Sequence, residues 1–178
     1  DALPILTDGI ADAYVKGAAR VAQAPGVRAL LTQVCDRRAA KPHLYRVTGA
    51  DWLANHALGE EVFGPLGLIV TVTDEAEMQA IAQSLDGQLT ATLHMDDADT
   101  ALARALLPTL ERKAGRIVVN GYPTGVEVAD AMVHGGPYPA STNFGATSVG
   151  TMSIRRFLRP VCYQSVPEAL LPEGFAQA

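Results

Sequence analysis

Leu68-Ile69-Val70-Thr71-Val72-Thr73-Asp74-Glu75-Ala76-Glu77-Met78 decides the fold class. Its first six residues are apolar or β-branched without a break, as in a strand covered on both faces. Asp74 then stands where a helix cap belongs, and helical spacing follows from Glu75 to about Leu85. A strand over 89–94, a helix over 97–112 and a strand over 116–120 come next. Asp86-Gly87 and Ala114-Gly115 fall where these helices should end, and Pro108 should kink or shorten the second one. Strands separated by helices of this length imply right-handed crossovers and a mostly parallel sheet with flanking helices, an α/β fold. Ile117-Val118-Val119 is continuously apolar like the first strand, whereas Leu89 to Leu93 alternates with Thr and should be less deeply covered.

Working outward, Thr7-Asp8 can cap a helix through about residue 24. Ile10, Ala13, Tyr14, Ala18 and Val21 would form its apolar face, and Pro25-Gly26 would end it. Residues 27–34 and 43–47 read as short strands, and 51–58 as a helical turn or two. Downstream, 121–150 is rich in Gly, Pro, Ser, Thr and Asn, and a loop of that length is usually functional. Residues 151–158 read as a helix and 160–166 as an exposed strand, with two prolines in the tail that follows.

The 178 residues suggest one domain or two small ones. With 48% hydrophobic and 19% charged residues, a sizeable core can form. A net charge of −5 argues against a nucleic-acid partner, which needs a basic face. No apolar run approaches the roughly 20 residues of a membrane helix, so no membrane partner is expected. The first residues are Asp1-Ala2-Leu3-Pro4, with no initiator Met and no basic leader, so the chain is expected to begin inside a longer one. Cys35 and Cys162 lie far apart, which suits free thiols and a cytoplasmic setting.

Three stretches carry chemistry. The first is Gly59-Glu60-Glu61-Val62-Phe63-Gly64-Pro65-Leu66. A carboxylate at Glu61 can accept two hydrogen bonds from neighbouring ribose hydroxyls, and Phe63 can press on a flat heteroaromatic ring. A surface Glu before a turn, with a core Phe, is the plainer alternative. The second is Gly115-Arg116-Ile117-Val118-Val119-Asn120-Gly121, in which Asn120 reads as a turn-forming residue. The third is Met132-Val133-His134-Gly135-Gly136-Pro137-Tyr138-Pro139-Ala140-Ser141-Thr142, otherwise an ordinary surface loop.

These stretches resemble, in order, the Glu-x-Phe-Gly-Pro motif, the late Val-Asn strand and the pocket loop of the aldehyde dehydrogenase superfamily. The resemblance runs from about Leu6 to Gln164. It implies that Glu61 and Phe63 contact NADP or NAD, and that the pocket loop follows the carboxyl end of the third strand. The form His-Gly-Gly-Pro-Tyr-Pro-Ala, with Thr147 to Gly150 and Arg156 to Gln164, resembles the branch acting on 2-oxoglutarate semialdehyde. That substrate carries a carboxylate. Pro137, Tyr138, Ser141 and Thr142 are accordingly expected to contact it, with Arg155 and Arg156 as further candidates or as solvated surface charges.

The same resemblance implies two segments. Residues 1–158 would be part of a catalytic domain, and 159–178 an oligomerisation strand and C-terminal arm building a dimer or tetramer. The family's nucleophilic Cys sits in a Gly-Gln-x-Cys segment that this sequence lacks, so no catalytic residue is assigned. The isolated chain is expected to be inactive. Cys35, beside Asp36-Arg37-Arg38, is read as a strand-end thiol without a chemical role, and Cys162 as a small hydrophobe. The four His residues have no metal-ligand spacing, and there is no Gly-x-Gly-x-x-Gly or phosphate-binding Gly-x-x-x-x-Gly-Lys. A non-enzymatic α/β module serving assembly is the alternative function.

Overall fold

The structure is a computed structural model and describes residues 3–126, 129–143, 145 and 147–175. The order of elements is β1 (Leu3–Pro4), α1 (Asp8–Gln23), β2 (Arg28–Leu31), β3 (Ala39–Ala40), β4 (His43–Thr48), α2 (Gly49–Ala54), β5 (Leu66–Thr71), α3 (Glu75–Ser84), β6 (Gln88–Leu93), α4 (Thr100–Lys113) and β7 (Ala114–Val119). Short 3-10 turns cover His56–Gly59, Asp97–Asp99, Thr151–Phe157 and Glu168–Leu170. The expected α/β alternation is present.

The caps fall where the side chains allow them. Thr7 accepts from the Ile10 N–H at the start of α1, and Asp74 accepts from the Glu77 N–H at the start of α3. The buried stripe of α1 is Ala11, Tyr14, Ala18 and Val21, which includes the expected Tyr14, Ala18 and Val21 and adds Ala11. Ala13 is exposed and Ile10 half-buried. Tyr14 sets the orientation: its ring is buried, and its hydroxyl donates to the Lys41 carbonyl at 2.7 Å, with the Pro65 carbonyl at 3.2 Å. Pro108 lies inside α4 and does not end it.

The expected single parallel sheet divides into smaller ones. β4 pairs in parallel with β5 and antiparallel with β2, with an irregularity between Ala29 and Leu31. β6 pairs in parallel with β7, and β1 pairs antiparallel with β3. Among the described residues no ladder joins β5 to β6. Each parallel pair has a helical segment in its crossover: α2 between β4 and β5, α4 between β6 and β7. The core beside β6 and β7 is Ala82 of α3 with Leu106 and Leu110 of α4, surrounded by Met78, Ala91, Leu93 and Ile117. Gln79 donates to the Thr109 hydroxyl at 2.6 Å and ties α3 to α4.

β5 is not covered on both faces as its apolar run suggests, since Ile69 remains 43% exposed. The expected strand over 160–166 forms no ladder. Pro160 has no N–H to offer, and Ser165 takes a left-handed φ of 55°, which breaks an extended run. The expected helix over 151–158 is a 3-10 turn, Thr151–Phe157, with no buried residue to draw it onto the core.

Candidate functional site

Glu61 owes its position to the way residues 60–64 lie across α1. Glu60 forms an ion pair with Arg20, Val62 packs where Gly17 leaves room, and Gly64 abuts the Tyr14 ring. Arg20, Gly17 and Tyr14 are three residues apart along one face of the helix. Every second residue of the segment therefore meets α1, and Glu61 and Phe63 between them turn away. Both are exposed, Phe63 by 67%. Among the described interactions Glu61 has no ion pair and no side-chain hydrogen bond, so its carboxylate keeps its acceptor positions. Phe63 is not a core residue, which removes the plainer reading of that position.

The Gly64-Pro65 bend is held on both sides. The Pro65 carbonyl accepts from the His43 N–H at 3.0 Å as well as from Tyr14, and the Leu66 N–H returns to the Gly64 carbonyl at 2.8 Å. Gly64 has φ 152°, and a Cβ there would strike the Tyr14 ring.

An open cavity of about 1080 Å³ lies beside Glu61. Gly59, Glu60 and Glu61 form one wall, Gln88 to Thr90 and Arg116 another, and His134, Pro139, Ala140 and Ser148 close it. Phe63 lies outside the lining. A smaller hollow of about 390 Å³ brings Ser141, Thr142, Asn143, Ser148 and Arg156 around His134. His134 thus touches both spaces.

The loop after β7 does not stay at the carboxyl ends of the strands, where the sequence suggested. Arg116 donates to the Gly125 carbonyl and draws the chain back. Gly87, Gly115 and Gly136 then let backbone meet backbone, and a Cβ on any of them would collide with a carbonyl. Residues 135–138 end up at the amino ends of β6 and β7. Pro137 packs through its carbonyl against Gly87, and Tyr138 is 79% exposed. Neither lines a cavity wall. The Ser141 hydroxyl donates to the Gly136 carbonyl at 2.7 Å, so it braces the loop while edging the smaller hollow. Thr142 and Arg156 are exposed at that hollow, and Arg155 is not part of it.

Arg116 and His134 were not singled out as site residues from the sequence. The signal for Arg116 was a lone cation in an apolar strand; for His134 there was only the adjoining Gly-Gly. Asn120 has the expected turn role. At φ 50° its amide accepts from the Met95 N–H at 2.8 Å and donates to the Met95 carbonyl at 2.7 Å, extending the β6–β7 ladder by one step. Among the described residues no group of three or more potential metal ligands occurs, and no helix is long and apolar enough to cross a membrane.

No family model matches the chain. Curated relatives do. The chain is 54% identical over 179 residues to alpha-ketoglutaric semialdehyde dehydrogenase 2 of Azospirillum brasilense, a match covering 98% of the chain and 34% of that protein. It is 52% identical over 135 residues to alpha-ketoglutaric semialdehyde dehydrogenase of Acinetobacter baylyi, covering 75% of the chain and 26% of that protein. The chain belongs to the aldehyde dehydrogenase family. It spans about a third or less of the length of these relatives. Among solved structures, a glyceraldehyde-3-phosphate dehydrogenase of Methanocaldococcus jannaschii complexed with NADP superposes with a TM-score of 0.58 at 25% identity, covering 75% of the chain and 26% of that structure's chain. The aldehyde dehydrogenase reading of the Glu61 segment, the Val-Asn strand and the loop at His134 therefore stands as a family assignment. The roles of individual residues are a separate matter.

Proposed function

We propose that this chain is the portion of an NAD(P)-dependent aldehyde dehydrogenase that orients the coenzyme ribose and shapes the substrate entrance, in the oxidation of 2-oxoglutarate semialdehyde to 2-oxoglutarate. The observation that carries this is the asymmetry of Glu60 and Glu61: Arg20 neutralises the first, and the second faces the large cavity with its carboxylate uncommitted. A carboxylate so placed suits a vicinal diol, because each oxygen can accept from one hydroxyl. The residues present fit the nicotinamide ribose of NADP or NAD. When bound, that coenzyme accepts a hydride. Glu61 would hold the ribose in one orientation, and Phe63, exposed on the same side, would limit the approach of the ring. Such positioning lowers a barrier by removing wrong geometries in advance.

A keto-acid aldehyde needs a partner for its carboxylate. Arg156, with Thr142 and Ser141 beside it, supplies a guanidinium and hydroxyls at the rim of the smaller hollow. The relatives' names support this substrate. The remaining chemistry falls to other segments of a longer polypeptide, as the share of the relatives spanned by this chain supports. Residues 159–178 form the arm through which copies associate into a dimer or tetramer, for which exposed Val161, Leu170 and Phe175 offer apolar surface. The free thiols suit a cytoplasmic setting.

The test compares the isolated chain with the same chain joined to the preceding part of the Azospirillum relative. The isolated chain should not turn over 2-oxoglutarate semialdehyde with NADP or NAD, and the joined protein should. Turnover by the isolated chain, or a joined protein that oxidises other aldehydes but not this one, would contradict the proposal.

A further inference from the structure

Cys35 does not end a strand. β2 stops at Leu31, and Cys35 lies half-buried in the turn before β3. There its Sγ is 3.8 Å from His43 Nε2 and accepts the Lys41 backbone N–H at 3.3 Å. The other ring nitrogen, His43 Nδ1, is 3.0 Å from the Tyr45 hydroxyl. Tyr45 is buried, and its hydroxyl also lies 3.4 Å from the Ala18 carbonyl, a group that can only accept. With the hydroxyl proton given to Ala18, the Tyr45 oxygen accepts from Nδ1–H and Nε2 presents a lone pair to the thiol, which is the tautomer that base assistance requires. Tyr14 stacks edge-on against the imidazole, with ring centroids 5.8 Å apart, and restricts its rotation.

A nucleophile, a base within reach and a third group orienting the base form a recognisable arrangement. The nearby cations do not explain it. Arg37 reaches Asp8 at 2.7 Å, and Arg38 holds the Ile5 and Leu6 carbonyls. Neither cavity includes Cys35.

We infer that Cys35 is a base-assisted nucleophilic thiol, oxidised by hydrogen peroxide to a sulfenic acid with His43 accepting its proton. Sulfur attacks one peroxide oxygen, and the O–O bond breaks as the S–O bond forms. The departing hydroxide takes the proton from His43 and leaves as water. Sulfur is oxidised by two electrons and the peroxide is reduced by two. The Lys41 N–H, aimed at sulfur, stabilises the negative charge that develops there.

The experiment treats the 178-residue chain with hydrogen peroxide, traps sulfenic acid with dimedone and quantifies each cysteine peptide by mass spectrometry. Cys162 is the internal control, being more exposed and without an imidazole partner among the described contacts. Cys35 should label at least about tenfold faster than Cys162. His43→Gln should remove most of that advantage and leave Cys162 unchanged. Equal rates at the two cysteines, or an unaltered Cys35 rate in a folded His43→Gln variant, would overturn the inference. Should that variant not fold, imidazole nitrogen NMR of the unaltered chain decides it. A neutral His43 with hydrogen on Nδ1 is expected, and hydrogen on Nε2 would rule the mechanism out.

Discussion

Gly64 and Tyr14 depend on each other. Gly64 sits at φ 152° with the Tyr14 ring where a Cβ would be. Gly64→Ala should therefore cost about 1–3 kcal/mol in urea denaturation, from backbone strain together with the clash. Tyr14→Phe should cost about 1–2 kcal/mol, since the Lys41 and Pro65 carbonyls lose their donor. Burial first, and then the neighbouring Cys35 and Tyr45, push the Tyr14 phenol up from 10.0 to about 12. A group whose proton is held more tightly in the folded state stabilises it below the unfolded value, and that stability is lost as pH rises towards the folded one. Stability should accordingly decline between pH 10 and about 12, and Tyr14→Phe should flatten that decline in pH-dependent melts. At this scale the sequence showed that Glu61 and Phe63 flank a bend. It did not show that Gly17 and Tyr14 of a helix more than 40 residues earlier aim them outward, because that alternation depends on tertiary packing.

The elements were legible wherever pattern and cap agreed. Asp74 before 75–84 and Thr7 before 8–23 marked their helices, since a short polar oxygen satisfies an orphan N–H in any context. α4 shows the opposite case. Pro108 should have shortened it, yet Leu106 and Leu110 on the core and Thr109 bonded to Gln79 hold the turn. Pro108→Ala should raise stability, by up to about 3 kcal/mol, by restoring a helix hydrogen bond and removing a steric conflict. Thermal melting checks this, and a lower midpoint would show that the proline is needed for packing. The strand expected at 160–166 failed for a related reason. Its residue types favour extension, but Pro160 and Ser165 interrupt it, and a strand exists only through its ladder. The loop at 121–150 was recognisable as a long loop from its Gly, Pro, Ser, Thr and Asn, but its return to the amino ends of β6 and β7 was not. That return depends on Gly87 and Gly115, which sit at unremarkable helix-to-strand junctions.

For the whole molecule, the distribution of apolar surface is the main physical fact. β5 exposes Ile69, β7 exposes Val119, and Phe157, Leu158 and Val161 project from the C-terminal region. Parallel strands are ordinarily covered on both faces, so an isolated chain of this kind should associate. Light scattering across a concentration series should report species larger than a monomer, and a monomer throughout would contradict this. The central claim is that Glu61 orients the coenzyme ribose, and single-turnover formation of reduced coenzyme by the intact enzyme containing this chain tests it most directly. Glu61→Gln should slow that step by about tenfold or more with the melting temperature unchanged. Glu60→Gln, which breaks only the exposed pair with Arg20, should leave the rate alone and cost at most about 1 kcal/mol of stability. An unchanged rate in Glu61→Gln, or equal slowing by both substitutions, would contradict the account.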